Sequence, residues 1–81
     1  MNVTVLLFAA AREAAGTDRV ALDLARGATV ADAFGRLAAS HPALASVLPS
    51  CRAAVDEEFA PRATALRDGA TLAVLPPVSG G

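Results

Sequence analysis

Thr29-Val30-Ala31-Asp32-Ala33-Phe34-Gly35-Arg36-Leu37-Ala38-Ala39-Ser40-His41-Pro42 is the one long stretch of helical periodicity in this chain of 81 residues. Val30, Ala33, Phe34, Leu37 and Ala38 fall at i, i+3, i+4, i+7 and i+8, the spacing of a single helix face. Thr29 is a good N-cap, with Asp32 in the acidic first turn. Ser40-His41-Pro42 stops the helix, because the residue before a proline is pushed out of the α region. One helix of about 12 residues with one apolar face covers one face of a small sheet, a two-layer domain.

The rest of the chain supplies the sheet. Residues 2 to 8 alternate, with Val3, Val5 and Leu7 pointing one way and Thr4, Leu6 and Phe8 the other. Ala9 to Gly16 has helical propensity but is short, and is expected to form one loose helical turn within a loop. Val20, Leu22 and Leu24 alternate with Arg19, Ala21 and Asp23 as a second strand. Past the helix, Ala43 to Leu48 is expected to form a short second helix before Pro49. Arg52 to Val55 and Glu58 to Phe59 read as short strands around Asp56-Glu57. Asp68-Gly69 is a turn, and Thr71 to Leu75 is the final strand. Val3, Val5, Leu7, Val20, Leu22, Leu24, Val55, Leu72 and Val74 are the expected core. Leu6, Phe8, Phe59 and Leu75 are left on the opposite parity, with no second long helix to cover them. A contiguous apolar patch there marks a partner site.

Composition narrows the function. Eighty-one residues make one small domain. No apolar run approaches the roughly 18 residues of a membrane span. Val3 to Ala11 imitates a signal peptide but lacks a basic leader, so a cytoplasmic protein is expected. Net charge is −1 without a basic cluster, which argues against nucleic acid or a membrane as partner. All seven basic residues are arginine, so no side-chain amine is present for an activated acyl group to modify. Cys51 and His41 are the only residues of their kinds, too few for a disulfide framework or a structural zinc site. Both read as structural, a half-buried thiol and a helix-terminal histidine. No metal and no bound cofactor is expected.

The sequence closes on Pro76-Pro77-Val78-Ser79-Gly80-Gly81. The prolines favour an extended stalk. The glycines have no Cβ, so they can thread a narrow cleft and leave the last carbonyl open to a nucleophile. The five residues from Pro77 reach roughly 17 Å at most, enough to enter another protein's active site.

Three segments together resemble the small subunits of molybdopterin synthase, a family of ubiquitin-like sulfur carriers. They are Phe8-Ala9-Ala10-Ala11-Arg12-Glu13-Ala14-Ala15-Gly16, Leu66-Arg67-Asp68-Gly69 and the terminal hexapeptide from Pro76. The resemblance implies an α+β protein with the β-grasp (ubiquitin-like) fold, a mixed sheet packed on one main helix. Residues 1–75 then form the domain and 76–81 an extended tail. It further implies that the Gly81 carboxylate is the reacting group, first adenylated by an ATP-dependent adenylyltransferase and then converted to a thiocarboxylate. Val78, Ser79 and Gly80 would lie in the active site of the large synthase subunit, within a heterotetramer. That subunit would use the sulfur to build the dithiolene of molybdopterin from cyclic pyranopterin monophosphate. Phe8, Phe59 and Leu75 match positions in hydrophobic contact with the large subunit, and they are among the apolar residues already left over. The chain would be a non-catalytic sulfur donor in a sulfurtransferase complex, with ATP used by the activating enzyme alone. Arg12 and Glu13 match an Arg-Glu pair of the family and read as a solvated charge pair. Ala70 and Thr71 stand where acidic residues are usual in the family, and Asp56 where asparagine is common.

Other functions share the Gly-Gly end. A carrier for the thiamin thiazole or an amino acid has the same chemistry, although thiazole carriers are generally shorter and lack the Pro-Pro-Val-Ser lead-in. A ubiquitin-like modifier would be joined to target lysines through Gly81. An interaction domain with an inert tail is the least chemical alternative.

Overall fold

The computed structural model describes residues 1–77. Its elements are β1 (Asn2–Leu7), α1 (Ala9–Ala15), β2 (Arg19–Asp23), α2 (Val30–Ser40), β3 (Arg52–Val55), β4 (Glu58–Ala60) and β5 (Thr71–Leu75). Two short 3-10 turns, Pro42–Ser46 and Leu48–Ser50, join α2 to β3. The five strands form one mixed sheet in the order β2-β1-β5-β3-β4. β1 and β5 run parallel at its centre, and every other pairing is antiparallel. With α2 packed on one face, this is the expected β-grasp arrangement.

Alternation decides which face is covered. Val3, Val5 and Leu7 of β1 and Leu72 and Val74 of β5 are all at most 1% exposed. The register places Val5 beside Leu72 and Leu7 beside Val74, so these side chains form a continuous floor. Val30, Ala33, Phe34 and Leu37 of α2 close over that floor, with Leu44 and Leu48 of the 3-10 turns filling one end.

The start of α2 accounts for all of its orphan backbone donors. Thr29 Oγ1 accepts from Asp32 N, while Asp32 Oδ2 accepts from Thr29 N at 2.9 Å, a reciprocal capping box. Such a cap is worth about 1 kcal/mol. Val30 N donates to Thr64 O, Ala31 N to Arg62 O and Ala33 N to Thr29 O. The stretch from Arg62 to Leu66 therefore serves as a brace for the helix, a role that its sequence, without periodicity, does not announce. The Arg62 guanidinium also lies 4.2 Å from the Phe34 ring centroid and donates to Leu48 O and Cys51 O.

Two elements depart from expectation. The Ala9-to-Gly16 stretch is a seven-residue helix rather than one loose turn, closed by Gly16 at φ 75° donating to Arg12 O. Helices this short are marginal on propensity alone. Here fully buried Ala11 anchors α1 to the core. The second helix expected near Ala43 is tighter, because Pro42 and Pro49 each interrupt the chain and confine it to 3-10 turns. β5 ends at Leu75, with Pro76 and Pro77 beyond it. Val78, Ser79, Gly80 and Gly81 lie outside the described residues.

Candidate functional site

The face of the sheet opposite α2 has no layer over it among the described residues. Its composition follows from register. Leu6 lies beside Ala73, Ala73 beside Ala54, Ala54 beside Phe59, and Leu75 beside Arg52. Successive residues of a strand point to opposite faces, so these six share one surface. Leu6, Ala73 and Leu75 are half-buried, whereas Phe59 is 69% exposed and Phe8 44%. These two are the exposed large hydrophobic residues of the described chain. Phe8 is not part of β1 as expected but the extended N-cap of α1, and the chain turns away from the sheet at Ala9, whose φ is 49°.

Phe8 then forms one wall of a groove. Leu6, Thr71 and Ala73 make the floor, and the turn at Asp56 and Glu57 makes the other wall. The register places Leu75 at the same end of the sheet as Leu7 and Phe8, because Val74 pairs with Leu7 in the parallel ladder. Leu75 is the last strand residue, so the tail is rooted opposite Arg52. The structure thus connects Leu75 to Phe59 through Arg52, while Phe8 lines the groove with Leu6, Thr71 and Ala73 at the same open face. Gly81 and the tail residues Val78, Ser79 and Gly80 lie outside the described residues, so only their root is placed. Arg52 is a site residue that residue type alone does not single out. Its parity, opposite to that of Val55, is the signal that places it on this face.

The wall of the groove opposite Phe8 is pinned by Asp56. Its Oδ1 accepts from Thr71 N at 3.0 Å, its Oδ2 from Arg67 Nη2 at 2.9 Å, and its own N–H donates to Thr71 O. Asp56 and Glu57 both have positive φ, 48° and 73°, as a two-residue hairpin turn requires. The Thr71 amide, and after it the Arg67 guanidinium, hold the Asp56 carboxyl below its ordinary value. The unfolded chain therefore binds more protons in that window, and stability rises with pH through it. Asp56→Asn should be less stable than wild type at neutral pH. That gap should persist down to about pH 5, then shrink as the pH falls through the carboxylate range. Thermal melts from neutral to acid pH check this, and a gap that does not change with pH refutes it.

The remaining chemistry-bearing side chains are placed as structural groups. Cys51 is buried, its thiol donates to Val47 O, and burial pushes its pKa up, so the nucleophilic thiolate is disfavoured. His41 ends α2 and begins the first 3-10 turn, with Nδ1 buried and unpartnered among the described residues. Arg12 and Glu13 are exposed on α1, as solvated charges should be, but the expected pairing is not formed among the described residues, because adjacent positions on a helix do not face each other. No described helix is long and apolar enough to cross a membrane. Among the described residues no three His, Cys, Asp or Glu side chains converge as metal ligands.

Comparison with known proteins agrees with this geometry over the whole chain. A molybdopterin synthase sulfur carrier subunit of Chlamydomonas reinhardtii is 41% identical over 83 aligned residues, covering 100% of both chains. The crystal structure of SAMP1, a small archaeal modifier protein of Haloferax volcanii, superposes with a TM-score of 0.91 at 35% identity, covering 100% of both chains. A complex of subunits 1 and 2 of the molybdopterin-converting factor from Helicobacter pylori contains the same fold, with a TM-score of 0.73 at 23% identity and 100% of both chains covered. The ThiS family model matches residues 5–81, strand β1 through the terminal glycines, and the chain belongs to the ThiS family.

Proposed function

We propose that this chain is the sulfur-carrier subunit of a molybdopterin synthase. The observation that carries this reading is the junction of β5, the central strand, with the Pro-Pro-Val-Ser-Gly-Gly tail at the edge of an exposed apolar face. Whole-length similarity to a named sulfur carrier subunit supports it. A carboxylate is a poor electrophile at neutral pH. Attack of the Gly81 carboxylate on ATP gives an acyl adenylate and pyrophosphate, and a sulfur donor then displaces AMP to leave a thiocarboxylate. The open face docks on the large synthase subunit through Phe8, Phe59 and Leu75, which positions Val78 to Gly81 in that subunit's active site. A tethered sulfur nucleophile reacts at an effective concentration no free sulfide attains. Acid–base groups and pterin binding come from the large subunit. A dithiolene holds two sulfur atoms, so two loaded chains are consumed per product.

A thiocarboxylate form of the chain, mixed with the large subunit and cyclic pyranopterin monophosphate, should return to the carboxylate as dithiolene product accumulates. Intact mass spectrometry reads the exchange of sulfur for oxygen. A thiocarboxylate that survives the incubation with no product refutes the reading.

A protein-modifier role is a second reading, favoured by the close superposition on the archaeal modifier protein. It requires a ladder of adducts on other proteins in cell extract. Because this chain has no lysine, such a ladder would not grow through side-chain amines of further copies of itself.

A further inference from the structure

We infer that Arg52 is a specificity-determining residue of the open face, and that the protein docking there presents a carboxylate to its guanidinium. The inference deepens the reading of this face as the large-subunit contact and rests on it. Arg52 is paired directly with Leu75, the strand residue from which the tail departs. Its guanidinium carbon lies 5.0 Å from the centroid of the Phe59 ring. The charge therefore sits between two hydrophobic residues assigned to the contact, not at its rim.

Nothing in the described chain neutralises that charge. The ion pairs among the described residues join Met1 to Asp23 and Arg67 to Asp56, and neither involves Arg52. Of the two acidic residues that line the groove, Asp56 is already engaged by Arg67 and the Thr71 amide, and Glu57 makes no ion pair with Arg52 among the described residues. The guanidinium carbon lies over the Phe59 ring, and no hydrogen bond among the described residues uses the Arg52 side-chain donors. A planar fork in this setting matches a carboxylate in bidentate geometry.

Docking makes the requirement strict. When an apolar surface covers Phe59 and Leu75, water is removed from Arg52 as well. A desolvated guanidinium without acceptors opposes binding by more than the adjoining apolar contacts contribute, whereas a paired one is tolerated. The partner surface must therefore supply an Asp or Glu side chain within an otherwise apolar patch. A lone aliphatic residue at position 52 would impose no such condition, so the arginine selects among partners that are equally greasy.

Binding of the full chain to the large subunit is measured at low and at moderate salt for wild type and for Arg52→Leu, Arg52→Lys and Arg52→Glu. Arg52→Leu should weaken binding roughly 30-fold or more and reduce its salt dependence. Arg52→Glu should weaken it further, and Arg52→Lys should retain the salt dependence with an intermediate affinity. Arg52 is exposed, and unchanged melting of the variants separates these losses from misfolding. Wild-type binding matched or exceeded by Arg52→Leu, with unaltered salt dependence, overturns the inference while leaving the docking face intact. Absence of wild-type binding to the large subunit overturns the docking reading and the inference with it.

Discussion

Deleting Gly81 should reduce sulfur transfer by at least about 10³-fold and leave the melting temperature of the domain unchanged. Removal of one extended residue withdraws the terminal carboxyl carbon by roughly 3.4 Å, and a misplacement of only about 1 Å at a reacting centre can cost about 100-fold. Ser79 and Gly80 would also present different side chains and backbone freedom to a channel suited to the native tail. Both the adenylation and the transfer steps address the same carbon, so both should fail. Stability should not follow, because the buried core among the described residues runs from Val3 to Val74. Affinity for the large subunit should fall only modestly, since Phe8, Phe59 and Leu75 remain. The measurements are dithiolene formation, chemical denaturation and binding on the same preparation. Transfer within tenfold of wild type after the deletion would place the chemistry elsewhere on the chain.

The separation of grip from chemistry explains what the sequence makes legible. Thr29, Asp32 and the spacing from Val30 to Ala38 announce α2 because capping and amphipathicity are local properties. The strands at Val3 to Leu7 and Thr71 to Leu75 are equally local, and their alternation alone is enough to leave Leu6 and Leu75 off the core. α1 is less visible, since its seven residues gain their order from burial of Ala11 against distant elements. The brace from Arg62 to Leu66 is hidden for the same reason: its partners are backbone groups of Ala28 to Ala31, more than 30 residues away. Arg52 shows a third case. Its residue type suggests only a solvated charge, and its meaning comes from standing opposite Leu75 with no other layer over it among the described residues. The acidic clip at Asp56 likewise depends on the β3–β5 register, which no spacing within 81 residues specifies.

Leu72→Ala should destabilise the domain by about 3 kcal/mol, within the range of about 2–5 kcal/mol for emptying a fully buried leucine site. Leu72 is 0% exposed on β5, between Val5 of β1 and Val55 of β3. Relaxation into the space is restricted because both neighbouring strands are hydrogen-bonded to β5 and α2 closes the layer above. A domain of this size holds roughly 4–12 kcal/mol in total, so the loss is a large fraction of it. The melting temperature should drop by roughly 10–25 °C. Phe59→Ala provides the contrast. Its ring is 69% exposed and contacts Arg52, so its removal should cost less than about 0.5 kcal/mol of stability. The same change should weaken large-subunit binding by roughly tenfold or more, as truncation of an interfacial aromatic does. The two substitutions therefore predict opposite patterns, one lost in urea with the docking surface chemically intact, the other lost in binding with the fold intact. A Leu72→Ala protein as stable as wild type, or a Phe59→Ala protein that unfolds early, would mean that the covered and open faces of the sheet have been assigned the wrong way round.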